Sequence, residues 1–246
     1  MVFFSGDTHG RHTIHKFYNK NFPQQKELTK NDYVIILGDF GGIWDLKSNK
    51  DEISLLKVYK DRKFTTLFVA GNHENHNRLN SDEFPEVPMF GDFVKQINTS
   101  IFMLQTGHIY TIEGETYFVF GGADSIDKQY RKAYISWWPE EIPTTKTMME
   151  ALDLLKKVKK VDYILTHTTY TEMYQLMGFN DNKGNDPMHK FFDAVRNTVE
   201  YKYWLFGHFH VDKYNVNRKT FCLYNKIINK DNLNKMLENP IPTEVV

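Results

Sequence analysis

The chain of 246 residues has a single cysteine, Cys222, which rules out an internal disulfide framework and a cysteine-rich structural zinc site. A lone thiol fits a reducing compartment. No apolar run approaches the roughly 20 residues that a membrane-spanning helix needs. Charge of one sign is not in excess either. Lysine plus arginine and aspartate plus glutamate number 31 each, so the molecule as a whole has no global pull toward nucleic acid or an anionic membrane, though a local basic patch stays open. The first strand is expected at Val2 and the first polar motif at Gly6, leaving no room for a cleaved leader, and the protein is expected to be soluble and cytoplasmic. Repeats and low-complexity linkers are also missing. The length suits one domain with a substantial core, expected over residues 1–228, with the polar, proline-containing stretch 229–246 as a loosely held tail.

Against these absences stand five short polar motifs: GDTHG at 6–10, GDFGG at 38–42, GNHE at 71–74, a lone His167, and GHFH at 207–210. Each closes an apolar, β-branched or aromatic run (2–4, 33–37, 66–69, 163–165 and 203–206), and such runs are expected to be buried strands. The polar groups therefore collect at the carboxyl ends of strands, where open α/β sheets bind their ligands. Helices are expected over 11–19, 51–62, 144–160 and 186–198, with a short one starting after Asn75. Segments 101–104, 108–112 and 116–120, split by glycines, are expected as antiparallel hairpins of a second sheet. Residues 214–228 are expected to supply closing strands.

Asp7 and His9 are two residues apart at a strand end, where side chains i and i+2 share a face and can reach one ion together. Asp39 adds a carboxylate whose two oxygens could bridge two ions, beside glycines at 38, 41 and 42 that permit tight turns. His208 and His210 repeat the i, i+2 arrangement. Asn72 and His167 complete a mixed nitrogen and oxygen set without thiolate, which suits manganese, iron, zinc or a similar ion. His12, His15, His76, His108 and His189 lie outside the motifs and are expected to be structural or exposed.

In this order and spacing the five motifs resemble the calcineurin-like metallophosphoesterase superfamily, in a bacterial and phage-type branch, over residues 6–210. The resemblance implies an α/β fold: a four-layer α/β/β/α sandwich of two mixed β-sheets flanked by helices. It implies two divalent ions, manganese first and iron, zinc, nickel or magnesium as alternatives. Asp7, His9, Asp39 and His210 would hold the first, and Asp39, Asn72, His167 and His208 the second, with Asp39 bridging. His73 would be a general acid rather than a ligand. Two ions about 3.5 to 4 Å apart lower the pKa of a bridging water, so that hydroxide attacks in line near neutral pH, and they clamp the phosphoryl oxygens. Protonation of the departing oxygen by His73 would contribute roughly 10² to 10⁴ in rate for a poor leaving group. The activity implied is hydrolysis of a small-molecule or nucleotide-like phosphomonoester or phosphodiester.

The protein-phosphatase branch continues its second motif with an aspartate that supports the catalytic histidine and an arginine that holds phosphate. Here that stretch is FGGIW at 40–44, which disfavours phosphoserine in proteins as a substrate. Asp45 or Glu74 is then the candidate support for His73, and Asn72, Arg131, Arg78 and Arg11 are the candidate substrate contacts. The polar, aromatic and turn-forming segment 121–141 resembles an insert of the bacterial and phage branch. It is expected either as a substrate wall with Arg131 on a phosphate or as a loop whose tryptophans cap the core. Two rival functions stand beside phosphoester hydrolysis. A nuclease would need a basic, aromatic groove, to which Arg131, Lys146, Trp137 and Trp138 could contribute, and a noncatalytic scaffold would have kept the fold without the chemistry.

Overall fold

The apolar runs that precede the first three motifs become strands β1 (Val2–Ser5), β2 (Tyr33–Ile36) and β3 (Thr65–Val69) in the computed structural model, which describes residues 1–179 and 186–246. They pair in parallel, with Phe4 opposite Ile35 and Ile35 opposite Leu67. Strands β4 (Glu86–Met89), β5 (Asp92–Asn98) and β6 (Ile101–Leu104) extend this sheet. Strands β7 (His108–Ile112), β8 (Glu115–Phe120), β9 (Lys160–Thr166), β10 (Glu200–Phe206), β11 (Lys213–Asn215) and β12 (Thr220–Cys222) make a second. With β13 (Ile228–Asn229), the orders are β13-β1-β2-β3-β6-β5-β4 and β11-β12-β10-β9-β8-β7, both mixing parallel and antiparallel pairs.

Side chains alternate along each strand, so every strand feeds two layers. Phe4, Ile35, Leu37 and Leu67 point between the sheets against Tyr117, Tyr163 and Leu205. There the Tyr117 and Tyr163 rings stack at 4.5 Å and 6°. Phe3, Val34, Ile36 and Phe68 face the other way, onto Leu55 and Tyr59 of α1 (Lys50–Lys60). The short α2 (His76–Leu79) follows β3. On the far side Phe118, Ile164 and Trp204 pack on Leu155 of α3 (Thr145–Val158) and Phe192 of α5 (Pro187–Thr198), beside the short α4 (Thr171–Leu176). The result is the four-layer α/β/β/α sandwich of two mixed sheets.

Three local expectations need correction. Strand β6 does not join the hairpin sheet; it lies parallel to β3, with Leu67 opposite Phe102, and the chain crosses between sheets in the turn before β7. Residues 11–19 give only a single 3-10 turn, Ile14–Phe17, because the Lys16 ammonium turns inward to the carbonyl oxygens of Gly6, Asp7 and Tyr224. Residues 229–246 are not loosely held. They form α6 (Lys230–Glu238), capped reciprocally by Asn229 and Asn232. Leu233 is buried against the inter-sheet core with Met236 and Leu237 beside it, and Val245 bridges to Tyr214. Apolar residues at i, i+3 and i+4 dock that helix despite the flanking prolines. Among the described residues, no helix is long and apolar enough to cross a membrane.

Candidate metal centre

Loops after β1, β2 and β3 of one sheet and after β9 and β10 of the other converge, bringing all five motifs to one place. One ligand atom from each of Asp7, His9, Asp39 and His210 lies within 4.8 Å of the others, and Asp39, His167 and His208 form a second such group. Asp39 belongs to both. Among the described residues nine non-glycine positions have positive φ, and four of them are His9 (42°), Asp39 (49°), His208 (71°) and His210 (53°). Backbone in this sparsely populated region is stored where the surrounding structure enforces it, here to aim ligand side chains inward. Glycine is needed beside them for space. A Cβ on Gly38 would stand 2.0 Å from His167 Nδ1, and one on Gly71 2.1 Å from Asp39 Oδ1.

The candidate ligand atoms converge closely on one another. His167 Nδ1–H donates to the Leu37 carbonyl at 2.8 Å, which leaves Nε2 turned toward Asn72 Oδ1 at 3.0 Å and Asp39 Oδ1 at 3.3 Å. His9 Nε2 and His210 Nε2 stand 2.8 Å apart. Such convergence is stable only around a cation or a shared proton, so the residues fit a divalent ion with nitrogen and oxygen ligands. Burial lowers the pKa of His9 to about 4 and of His208 to about 3, keeping both rings neutral and able to ligate. Burial also opposes charge on Asp39, but His167, His73 and His9 outweigh it and hold this carboxyl well below the usual range. At His167 burial is likewise outweighed by Asp39 and then Asp7, and the pKa rises to about 9, so without a cation Nε2 carries a proton directed at Asp39 and Asn72, which a bound ion would displace.

Behind Asn72 lies a buried chain. Asn72 Nδ2 donates to Ser125 Oγ at 3.0 Å, and Ser125 sends its hydroxyl to Glu141 Oε2 at 2.6 Å and its backbone N–H to Oε1 at 2.8 Å. Glu141 is fully buried. Tying down the Asn72 amide nitrogen fixes its oxygen toward His167. Ser125→Ala should therefore weaken binding of the ion that Asn72 would hold by roughly tenfold in a manganese titration by calorimetry, and leave the other near wild type. Equal affinities for both ions in variant and wild type would remove Ser125 from this role.

His73 sits at the rim. Its ring accepts a hydrogen bond at Nε2 from Arg131 Nη2 (3.1 Å), and the same Nη2 donates to Asp127 at 2.8 Å. Its backbone N–H donates to Asp39 Oδ1 at 2.7 Å, and Trp44 stacks on its ring at 5.7 Å and 20°. Neither expected support is in place: Asp45 accepts from Asn49, and Glu74 is buried facing the Gly41 N–H.

Two cavities open onto the cluster, one of about 910 Å³ on the side of His208, Asn72 and Arg131, and one of about 790 Å³ on the side of His9 and Trp44. His73 and His210 line both. A sequence profile of calcineurin-like phosphoesterases matches residues 1–212. The chain belongs to that family. Among solved structures, one described as a 5′-nucleotidase from Staphylococcus aureus, in complex with alpha-ketoglutarate, is 15% identical with a TM-score of 0.49. The match covers 91% of this chain and 48% of that one, so this phosphoesterase spans about half the other's length. The phosphopantetheinyl hydrolase of Mycobacterium tuberculosis is 14% identical with a TM-score of 0.39, over 98% of this chain and 92% of that one. No curated protein sequence matches.

The three arginines singled out in the sequence part company in this calcineurin-like phosphoesterase. Arg131 lines the larger cavity. Arg11 lines the smaller one and donates to Ser54 at 2.8 Å. Arg78 does not reach the centre, a correction to its candidacy: its guanidinium is buried and held by Glu52 and Glu83, which draw it away from the loops. In segment 121–141 Trp138 is fully buried, while Asp124, Asp127, Arg131 and Trp137 line the larger cavity. Of the outlying histidines, His76 bonds the Gly71 carbonyl oxygen and His108 pairs with Asp92, whereas His12 and His189 reach the cavities.

Proposed function

We propose that this chain is a dinuclear-metal phosphohydrolase acting on a small or nucleotide-like phosphoester. The observation that carries the proposal is the pair of ligand groups joined through Asp39 where two cavities meet. Asp7, His9, Asp39 and His210 would hold one ion and Asp39, Asn72, His167 and His208 the other, with manganese first among the ions that the family resemblance implies and that this mixed nitrogen and oxygen set admits. When bound, such ions make hydroxide available near neutral pH and neutralise charge on the phosphoryl oxygens. Arg131 receives the phosphoryl group. In transferring its N–H groups from His73 Nε2 to an arriving phosphate it frees that nitrogen to carry the proton that the leaving oxygen needs. The anion itself then favours protonated His73 against the burial that lowers its pKa.

The nuclease alternative is weakened by the cavity walls. Lys146 lines neither cavity, pairing instead with Glu150 in solvent, and Trp138 is buried in the core. A noncatalytic scaffold would have no use for the full donor set and for His73 at the rim. The test is a hydrolysis screen of monoesters, diesters and nucleotides with manganese, run beside Asp39→Asn. No turnover of any phosphoester by a manganese-loaded wild type would sink the proposal. Arg131→Lys should lower kcat/KM on the best substrate by about 1 to 3 kcal/mol of transition-state stabilisation, because a compact ammonium cannot copy planar two-point contact. Its melting temperature and metal content should match wild type. A lowered melting temperature with intact kcat/KM would make Arg131 a structural cap and pass its role to Arg11.

A further inference from the structure

Both cavities present flat aromatic walls, and they do so on opposite sides of His73. In the larger one Tyr174, Phe179 and Phe209 form a stepped surface, with centroids 5.5 Å and 5.0 Å apart and planes tilted by 26° and 33°. In the smaller one Trp44 lies on His73 and Tyr224 on His210, the latter at 4.7 Å and 17°. Each cavity alone is large enough for a nucleoside-sized group. A phosphomonoester has one organic arm and would use one of them. We infer that the substrate is a small phosphodiester with a planar aromatic group on each side of the phosphorus, one arm in each cavity, as in a dinucleotide.

Charge decides against a longer strand. Asp45 and Asp51 line the smaller cavity beside Arg11, with Glu52 already paired to Arg78 behind them. In the larger one Lys128 and Arg131 are already engaged by Asp124 and Asp127. Such walls receive uncharged arms on a single central phosphate and repel the flanking phosphates of a polymer. The reaction adds water across one phosphorus–oxygen bond. Hydroxyl goes to phosphorus, the proton goes through His73 to the departing oxygen, and a monoester and an alcohol leave without any redox change.

This inference rests on the phosphohydrolase reading, and the experiment separates the two. With manganese, kcat/KM is measured for deoxyadenylyl-deoxyadenosine, for the methyl ester of deoxyadenosine 5′-phosphate, and for an oligodeoxyadenosine strand. The dinucleotide should exceed the methyl ester by about tenfold, the gain from stacking a second base. Phe179→Ala and Tyr224→Leu should each raise KM for the dinucleotide by about tenfold. Hydrolysis of the methyl ester as fast as the dinucleotide, or a KM effect from one variant alone, overturns the two-armed substrate and leaves the phosphohydrolase standing. A preference for the long strand overturns it in favour of nucleic acid. Failure on all phosphoesters, including 4-nitrophenyl phosphate, removes both.

Discussion

Asp39→Asn should lose two-ion occupancy and hydrolysis together, with turnover below about one-thousandth of wild type in saturating manganese. Asp39 is the one residue common to both ligand groups, and it is almost fully buried. Asparagine keeps the shape and can still accept the His73 backbone N–H, so the loop need not move. It also tolerates the left-handed backbone recorded at this position, φ 49°, better than other residues would. What it removes is one unit of negative charge and the second anionic oxygen, the two properties that let a single side chain serve two cations. The fold should survive, and the variant should gain less stability than wild type on adding manganese. Metal content by elemental analysis and turnover on the best phosphoester are read on the same preparation. A variant that binds two ions per chain and turns over normally would show that Asp39 bridges nothing.

How much of this was legible beforehand depends on how far each feature reaches along the chain. The strands leading into the motifs announce themselves locally, because short runs such as 33–37 are apolar on both faces and end in glycine-bounded polar turns. Strands β4 and β5 do not: Pro88, Asp92 and Lys95 break any alternation, and the proline is tolerated because β4 is the edge of its sheet. The apolar run of β6 was visible, but its membership was not. Pairing with β3 rather than β7 is decided by which sheet face the neighbouring side chains fill. Motif order brought the ligand residues within view of one another. The Asn72–Ser125–Glu141 chain was out of reach, since its first link spans 53 residues and no motif contains it. Arg78 and Arg131 looked alike as cations in sequence. Only folding shows that Glu52, 26 residues away, claims one, while Asp127 holds the other beside His73.

His73→Ala should keep both ions while turnover of an alkyl phosphoester falls by roughly 10² to 10⁴, the range for loss of a positioned general acid. The His73 ring is in neither ligand group, and alanine retains the backbone N–H that bonds Asp39. For a 4-nitrophenyl ester the loss should be under about tenfold, because that leaving group departs as a stable anion and needs little protonation. A pH profile gives a second readout. In wild type the alkyl ester should turn over more slowly as pH rises through the His73 pKa of the substrate complex, since the acid must carry its proton. The variant should lack that limb and keep only the limbs belonging to other groups. Trp44 and Arg131 bracket the ring on two sides, so the truncation leaves space for water beside the leaving oxygen and sets a floor to the residual rate. Equal losses on both esters would mean that His73 holds the phosphoryl group or Arg131 in place rather than delivering a proton. Loss of an ion would mean that its ring supports the ligands from behind.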